Sequence, residues 1–228
     1  MKQHNQQYNY ARADSLSVAV ATRVREKMFA RFMAVLKPGA GDSILDVGVT
    51  ADQSYTSSNY FESLYPIKNK ITACGIDHAG FLEEKYPGVA FCFADALHLP
   101  FSDQAFDFVH CSAVWEHIGS ISNQQKMLEE SLRVARLGIM LTTPNRWFPI
   151  EFHCQLPLIH WLPKPAFRAI LRRTRYHDLA DETTLNLLTP SAVKTMCAVA
   201  DPAWKFQLEF ARLFGFPSNI LLFGRRSD

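Results

Sequence analysis

Apolar positions along this chain switch between two periods, and the switches mark its elements. Residues 15–36 set Leu16, Ala19, Val20, Val24, Met28, Phe32 and Val35 at helical spacing, and Lys37-Pro38-Gly39 stops the run. Short apolar runs follow at about 43–48, 71–77, 89–94, 105–111 and 137–142 and read as strands. Helices are expected between them, at 79–85, at 122–135 and from Ser58-Asn59 onward, where Asn59 and Glu62 have capping-box spacing. Strands alternating with helices at this spacing predict a parallel sheet covered by helices on both faces. From Thr143 the pattern breaks. Residues 144–165 carry five prolines beside Trp147, Phe148, Phe152 and Trp161, which rules out a long helix and predicts an irregular insertion. Helical spacing returns at 191–199. Lys205–Phe214 and Asn219–Arg225 then read as two last strands joined through Gly215-Phe216-Pro217.

Composition narrows the class without naming a function. With 228 residues, 48% hydrophobic and 20% charged, a single domain with a sizeable core is expected. Its parts are a helix with its leading arm (1–37, of which 1–14 read as mobile or docking), a sheet core (38–145), a lid insertion (146–189) and a C-terminal helix and strand pair (190–228). A formal charge of +2 gives no general steering toward nucleic acid, so nucleic acid is not an expected partner. Cys74, Cys92, Cys111, Cys154 and Cys197 have no paired spacing and read as free thiols in a reducing, cytoplasmic setting. The polar start, Met1 to Asn9, does not read as a signal peptide, and no apolar run reaches membrane-spanning length.

Three strands deliver an aspartate to their carboxyl ends: Ile44-Leu45-Asp46-Val47-Gly48, Gly75-Ile76-Asp77 and Ala94-Asp95-Ala96. Ligands of an open parallel sheet sit in the crevice outside those ends. A carboxylate on the second strand can accept from both hydroxyls of a ribose, and one on the third from an adenine amine. Asp42 and Asp52 nearby would repel a pyrophosphate, and GxGxxG is absent, which disfavours a dinucleotide oxidoreductase. Asp77 could also cap the helix at 79–85, a role compatible with the first, and Asp95 could close an ordinary Asx turn.

Over roughly residues 43–145 these motifs resemble the class I S-adenosylmethionine-dependent methyltransferases. The resemblance implies an α/β, Rossmann-like seven-stranded sheet with helices on both faces, the terminal strand pair completing it, and a Pro/aromatic-rich lid insertion. It implies S-adenosyl-L-methionine as cofactor, with Asp46, Gly48, Thr50, Asp77, His78, Asp95, Ala96 and Ser112 in the binding set. The chain departs from the family in its glycine loop, where only Gly48 remains in Asp46-Val-Gly48-Val-Thr50-Ala-Asp52. Thr50, Ser54, Thr56 and Ser57 are then candidates to replace backbone donors around the methionine end. Trp115 or Tyr10 could offer an aromatic face to the cationic donor.

Two histidines are the catalytic candidates. His117 follows strand four in Cys111-Ser112-Ala113-Val114-Trp115-Glu116-His117, and His153 lies in the insertion; either can act as a base near neutral pH or fill a structural role. Glu151, His153 and His160 have no metal-binding spacing, so no metal is expected. Lys164, Arg168, Arg172, Arg173 and Arg175 stand in 164–177 without an acid. Helical spacing puts Arg168, Arg172 and Arg175 on one face, suited to an anionic substrate, a membrane surface or solvent. The expected function is methyl transfer to the oxygen or nitrogen of a small-molecule or saccharide acceptor in a biosynthetic role. The alternative is a non-catalytic S-adenosylmethionine-binding partner protein.

Overall fold

The computed structural model describes residues 16–53, 55 and 57–227, so the expected N-terminal arm, Tyr10, Ser54 and Thr56 lie outside the described residues. Seven strands form one sheet: β1 (Ile44–Val47), β2 (Ile71–Gly75), β3 (Ala90–Phe93), β4 (Phe106–Ser112), β5 (Ala135–Pro144), β6 (Trp204–Leu213) and β7 (Phe216–Arg226). Their order is β3-β2-β1-β4-β5-β7-β6, with β7 antiparallel to both of its neighbours and the rest parallel. The strand order reverses between β1 and β4, so a crevice opens beyond the carboxyl ends of those two strands.

Alternation along β1 shows how the two faces are built. Leu45 and Val47 join Met127, Leu128 and Leu132 of α4 (Ile121–Val134) and Val193 and Met196 of α6 (Pro190–Ala198). Ile44 faces the other way, toward Met28, Phe32 and Leu36 of α1 (Leu16–Leu36), Phe61 of α2 (Tyr60–Leu64) and Leu82 of α3 (Phe81–Lys85). Each layer buries apolar area worth about 25 cal/mol per Å², and each strand residue is assigned to one layer by parity.

The capping box expected at Asn59 does not form. Asn59 adopts the left-handed conformation (φ 51°) and makes no side-chain cap bond. Its amide instead clamps Thr50, accepting from the Thr50 N–H at 3.0 Å and donating to the Thr50 carbonyl at 2.9 Å. Glu62, the other half of the expected box, is driven into the interior. The final turn also differs. It lies at Phe214-Gly215, both with positive φ, and β7 already begins at Phe216.

The insertion between β5 and α6 carries a small core of its own, in which Phe167 and Leu171 of α5 (Lys164–Leu171) meet Tyr176, Leu179 and Leu185. The helix stops at Leu171, and Arg172 is its C-cap. Arg172 and Arg175 therefore do not continue a basic helical face; Arg175 stacks on Tyr176 and Arg168 reaches Glu182 at 3.4 Å. No described helix is long and apolar enough to cross a membrane. All five cysteines are free thiols.

Candidate active site

A cavity of about 600 Å³ occupies the crevice, walled by α1, the β1 and β4 ends and the insertion. That volume is within the usual range for a small-molecule site. At its β1 side the chain turns at Gly48 (φ 93°), where an added Cβ would strike Val114 at 2.1 Å. A Cβ at Gly75 would meet the Val49 carbonyl at 2.6 Å. Two glycines therefore allow the 48–50 backbone to lie against the β2 end and form the cavity wall.

Asp77 lines the cavity and is half-buried. Its Oδ2 accepts from the Thr50 hydroxyl at 3.2 Å and from the Ala51 amide at 3.4 Å. The Thr50 hydroxyl also accepts from the Asp52 amide at 3.1 Å. Thr50 thus uses its side chain to shape the loop around Asp77. Arg25 of α1 enters the same cavity and donates to the Ser57 carbonyl and hydroxyl. It was missed in the sequence, where it sits unmarked in an amphipathic helix.

Beneath the β1–β4 side of the cavity lies a buried polar chain. Asp46 and His110 are register partners across β1 and β4. Tyr60 donates to His110 Nε2 at 3.0 Å, and His110 Nδ1 donates to Asp46 Oδ1 at 2.5 Å. Burial lowers the His110 pKa to about 3, so the ring is neutral. Burial raises Asp46 to about 7, and burial together with the charge of Asp46 holds Glu62 well above the carboxylate range. Two carboxyls so close, removed from water, cannot both ionise cheaply.

The opposite pole is also made of acids and histidines. His117, in the turn at Trp115–His117 after β4, presents Nδ1 to the Thr184 carbonyl at 2.6 Å. His153 presents Nδ1 to Glu151 Oε1 at 2.6 Å, and its Nε2 lies 3.1 Å from His117 Nε2. Glu116 Oε2 accepts from Thr143 at 2.9 Å. Burial raises Glu116 to about 7. Burial opposes ionisation of Glu151 as well, but the charge of His153 and bonds from His153 and the Cys154 amide outweigh it and bring Glu151 to about 2.

Of the residues expected at the site, Asp46, Gly48, Thr50, Asp77, Ser112, His117 and His153 line this one cavity. His78, Asp95 and Ala96 stand outside its wall at the β2–β3 side. There His78 stacks on Phe93, Asp95 is exposed and holds an Asx turn through the Leu97 amide at 2.9 Å, and Ala96 is buried in the core. Trp115 offers no face to the cavity; it is fully buried and its indole donates to the Gln124 carbonyl at 2.7 Å. His160 leaves the grouping with Glu151 and His153, because its Nε2 is bound to the Phe148 carbonyl at 2.7 Å.

These residues fit S-adenosylmethionine in three respects. The half-buried carboxylate of Asp77 and the close backbone at Gly48 share a wall, Arg25 adds a cation to the same cavity, and nothing among the described residues there resembles a phosphate cradle. Residues 52–141 match the family described as a methyltransferase domain. No curated protein matches the chain. Among solved structures, magnesium protoporphyrin IX methyltransferase from Synechocystis PCC 6803, with bound SAH, is similar over 97% of this chain and 92% of its own, at TM-score 0.60 and 13% identity. The N-methyltransferase NodS from Bradyrhizobium japonicum WM9 is similar over 90% and 98%, at 0.55 and 11%. Human N-acetylserotonin methyltransferase, in complex with SAM, is similar over 92% and 55%, at 0.56 and 15%. Such identities speak for the fold, and the matched domain speaks for the activity. Residues 52–141 therefore carry a methyltransferase domain, and the sheet order and crevice around it are those of the class I S-adenosylmethionine-dependent methyltransferase fold.

Proposed function

We propose that the enzyme methylates a hydroxyl or amine of a small-molecule or saccharide acceptor. One observation carries this reading: the residues suited to the donor and the His117–His153–Glu151 chain face a single cavity of about 600 Å³. A walled space of that size suits a compact acceptor. The similar structures include enzymes whose names specify small molecules, magnesium protoporphyrin IX and N-acetylserotonin, which supports the same class.

When bound, S-adenosylmethionine supplies an electrophilic methyl group on a sulfonium. The protein's part is then chiefly proximity and alignment. Asp77 takes the ribose hydroxyls, Gly48 lets the backbone approach, and Arg25 and the 49–59 loop offer donors to the methionine carboxylate. Asp46 acts from below, holding His110 and the β1 end in place. His117 and His153 receive the acceptor's nucleophilic atom and the proton it sheds.

Calorimetry followed by an acceptor panel tests the reading. S-adenosylhomocysteine should bind and NAD should not. Asp77→Ala should weaken S-adenosylmethionine about 10- to 200-fold, since charge-assisted bonds are worth ~1.5–3 kcal/mol. Asp95→Ala, at an exposed turn, should weaken it less. Affinity for Asp77→Ala equal to wild type would remove that residue from the site. Tight cofactor binding without turnover of any hydroxyl or amine acceptor would favour a non-catalytic binding partner.

A further inference from the structure

Glu116, His117 and His153 come from two distant stretches and turn their ligand atoms toward one volume at the cavity wall. One oxygen and two nitrogens all lie within 4.8 Å of one another. The two Nε2 atoms are 3.1 Å apart, and Glu116 Oε1 is 3.8 Å from His117 Nε2. Ligands held tetrahedrally at the usual ~2.0–2.1 Å from one ion stand about 3.3 Å from each other. The spacings of 3.1 and 3.8 Å about His117 Nε2 bracket that value.

The outer partners decide which atom of each ring points inward. A carbonyl only accepts, so His117 Nδ1, facing the Thr184 carbonyl, carries that ring's proton. Glu151 likewise takes the proton on His153 Nδ1. Two bare Nε2 lone pairs 3.1 Å apart would repel, so the pair needs either a proton on one of the rings or a shared cation between them. Glu116 Oε1 is the second, independent sign. It is buried without a hydrogen-bond partner while Oε2 is satisfied by Thr143. A buried carboxylate oxygen left in this way is costly and calls for a ligand.

We propose that Glu116, His117 and His153 bind one divalent first-row transition ion, with Glu151 and the Thr184 carbonyl as the outer partners that fix the two imidazoles. Outer contacts of that kind accompany most histidine metal ligands. Two imidazoles select zinc, cobalt, nickel or iron over magnesium and calcium. A divalent charge also balances the Glu116 and Glu151 carboxylates. Three protein ligands leave a position open to the cavity, as catalytic ions have and structural ions lack. An acceptor hydroxyl would take that position, a placement that rests on the methyl-transfer reading above; binding of the ion does not. The base and ligand roles of the histidines are alternatives at the same atoms, and metal content decides between them.

The test is a titration of chelator-stripped full-length protein with Co²⁺, read by visible ligand-field absorption and calorimetry. Mg²⁺ serves as control, and S-adenosylhomocysteine affinity is measured on the same samples. One Co²⁺ per chain should bind, Zn²⁺ should displace it, and Mg²⁺ should not be taken up. His153→Ala should abolish the Co²⁺ spectrum with S-adenosylhomocysteine binding retained, which shows that the variant is folded. Glu151→Gln should weaken Co²⁺ by about 10- to 100-fold, the usual cost of losing an outer partner. Protein that binds S-adenosylhomocysteine but takes up neither Co²⁺ nor Zn²⁺ overturns the ion site and leaves the methyl-transfer reading standing. Co²⁺ binding undiminished in His153→Ala overturns it as well. Protein that loads Co²⁺ as described yet methylates no hydroxyl or amine upholds the ion site and counts against the acceptor reading.

Discussion

Two histidine–carboxylate pairs face the same cavity and differ in what the second ring nitrogen meets. Under the β1–β4 side, His110 donates from Nδ1 to Asp46 and accepts at Nε2 from the Tyr60 hydroxyl. Packed against Phe61 at 4.2 Å between centroids, that ring has both polar atoms satisfied. At the insertion side, His153 makes the same Nδ1 bond to Glu151, but its Nε2 meets another imidazole nitrogen. Burial and a carboxylate partner are common to both. The partner of Nε2 separates a histidine that holds a sheet together from one available to a ligand. Acidity separates them as well: burial lowers the His110 pKa to about 3, whereas at His153 burial is outweighed by the charge of Glu151 and its hydrogen bond, which raise the pKa above the ordinary imidazole value.

The largest effect should come from His153→Ala. Loss of the residue proposed to meet the acceptor should lower turnover by about 10²- to 10⁴-fold, the range for a positioned proton-transfer group, with donor affinity unchanged in calorimetry. Turnover near that of wild type would place His153 with His110 as a structural residue, and the contrast would collapse.

His110→Ala probes the other member. It leaves Asp46 and Tyr60 without their partner and opens space beside Phe32 and Phe61. Urea unfolding should show a loss of about 2–4 kcal/mol. His153→Ala sits in the insertion, outside the two large sheet cores, and should lose less stability. Equal losses would mean that both rings are structural.

Much of this was legible along the chain. Strand parity, the three aspartates and the lone Gly48 point to the sheet and its crevice, and His117 and His153 stand out as titratable groups in segments near strand ends. What was not legible depends on distance in sequence. Asp46 and His110 meet because β1 and β4 are in that register, and no local pattern states the register. His117 and His153 are 36 residues apart and meet only when the insertion folds back over the β4 turn. The capping box failed for a local reason with a distant cause. Asn59 was needed to hold Thr50, and Glu62 was needed, or tolerated, beside Asp46.

Glu62 gives the smallest and sharpest test of the buried pair. It is fully buried, and burial together with the charge of Asp46 and a hydrogen bond to it holds its pKa well above normal. A carboxyl whose pKa is raised by folding binds its proton more tightly in the native state, so unfolding releases protons. Stability from it is complete below the unfolded value, about 4.3 for glutamate, and is lost as pH rises from there through the native value. Asp46, raised to about 7, contributes a loss of the same sign between about pH 4 and 7. Gln at position 62 mimics the protonated acid, can still donate to Asp46 and cannot ionise. Glu62→Gln should therefore match wild type near pH 4 and exceed it at about pH 8, by on the order of 1–3 kcal/mol, the cost of an uncompensated buried polar group. The same substitution removes a proton-accepting neighbour of Asp46 without touching Glu116, Glu151 or either insertion-side histidine. Urea midpoints at the two pH values decide it. A variant less stable than wild type at both would mean that Glu62 is ionised and paired in the native protein, and the quiet side of the cavity would then hold a charge as active as the other.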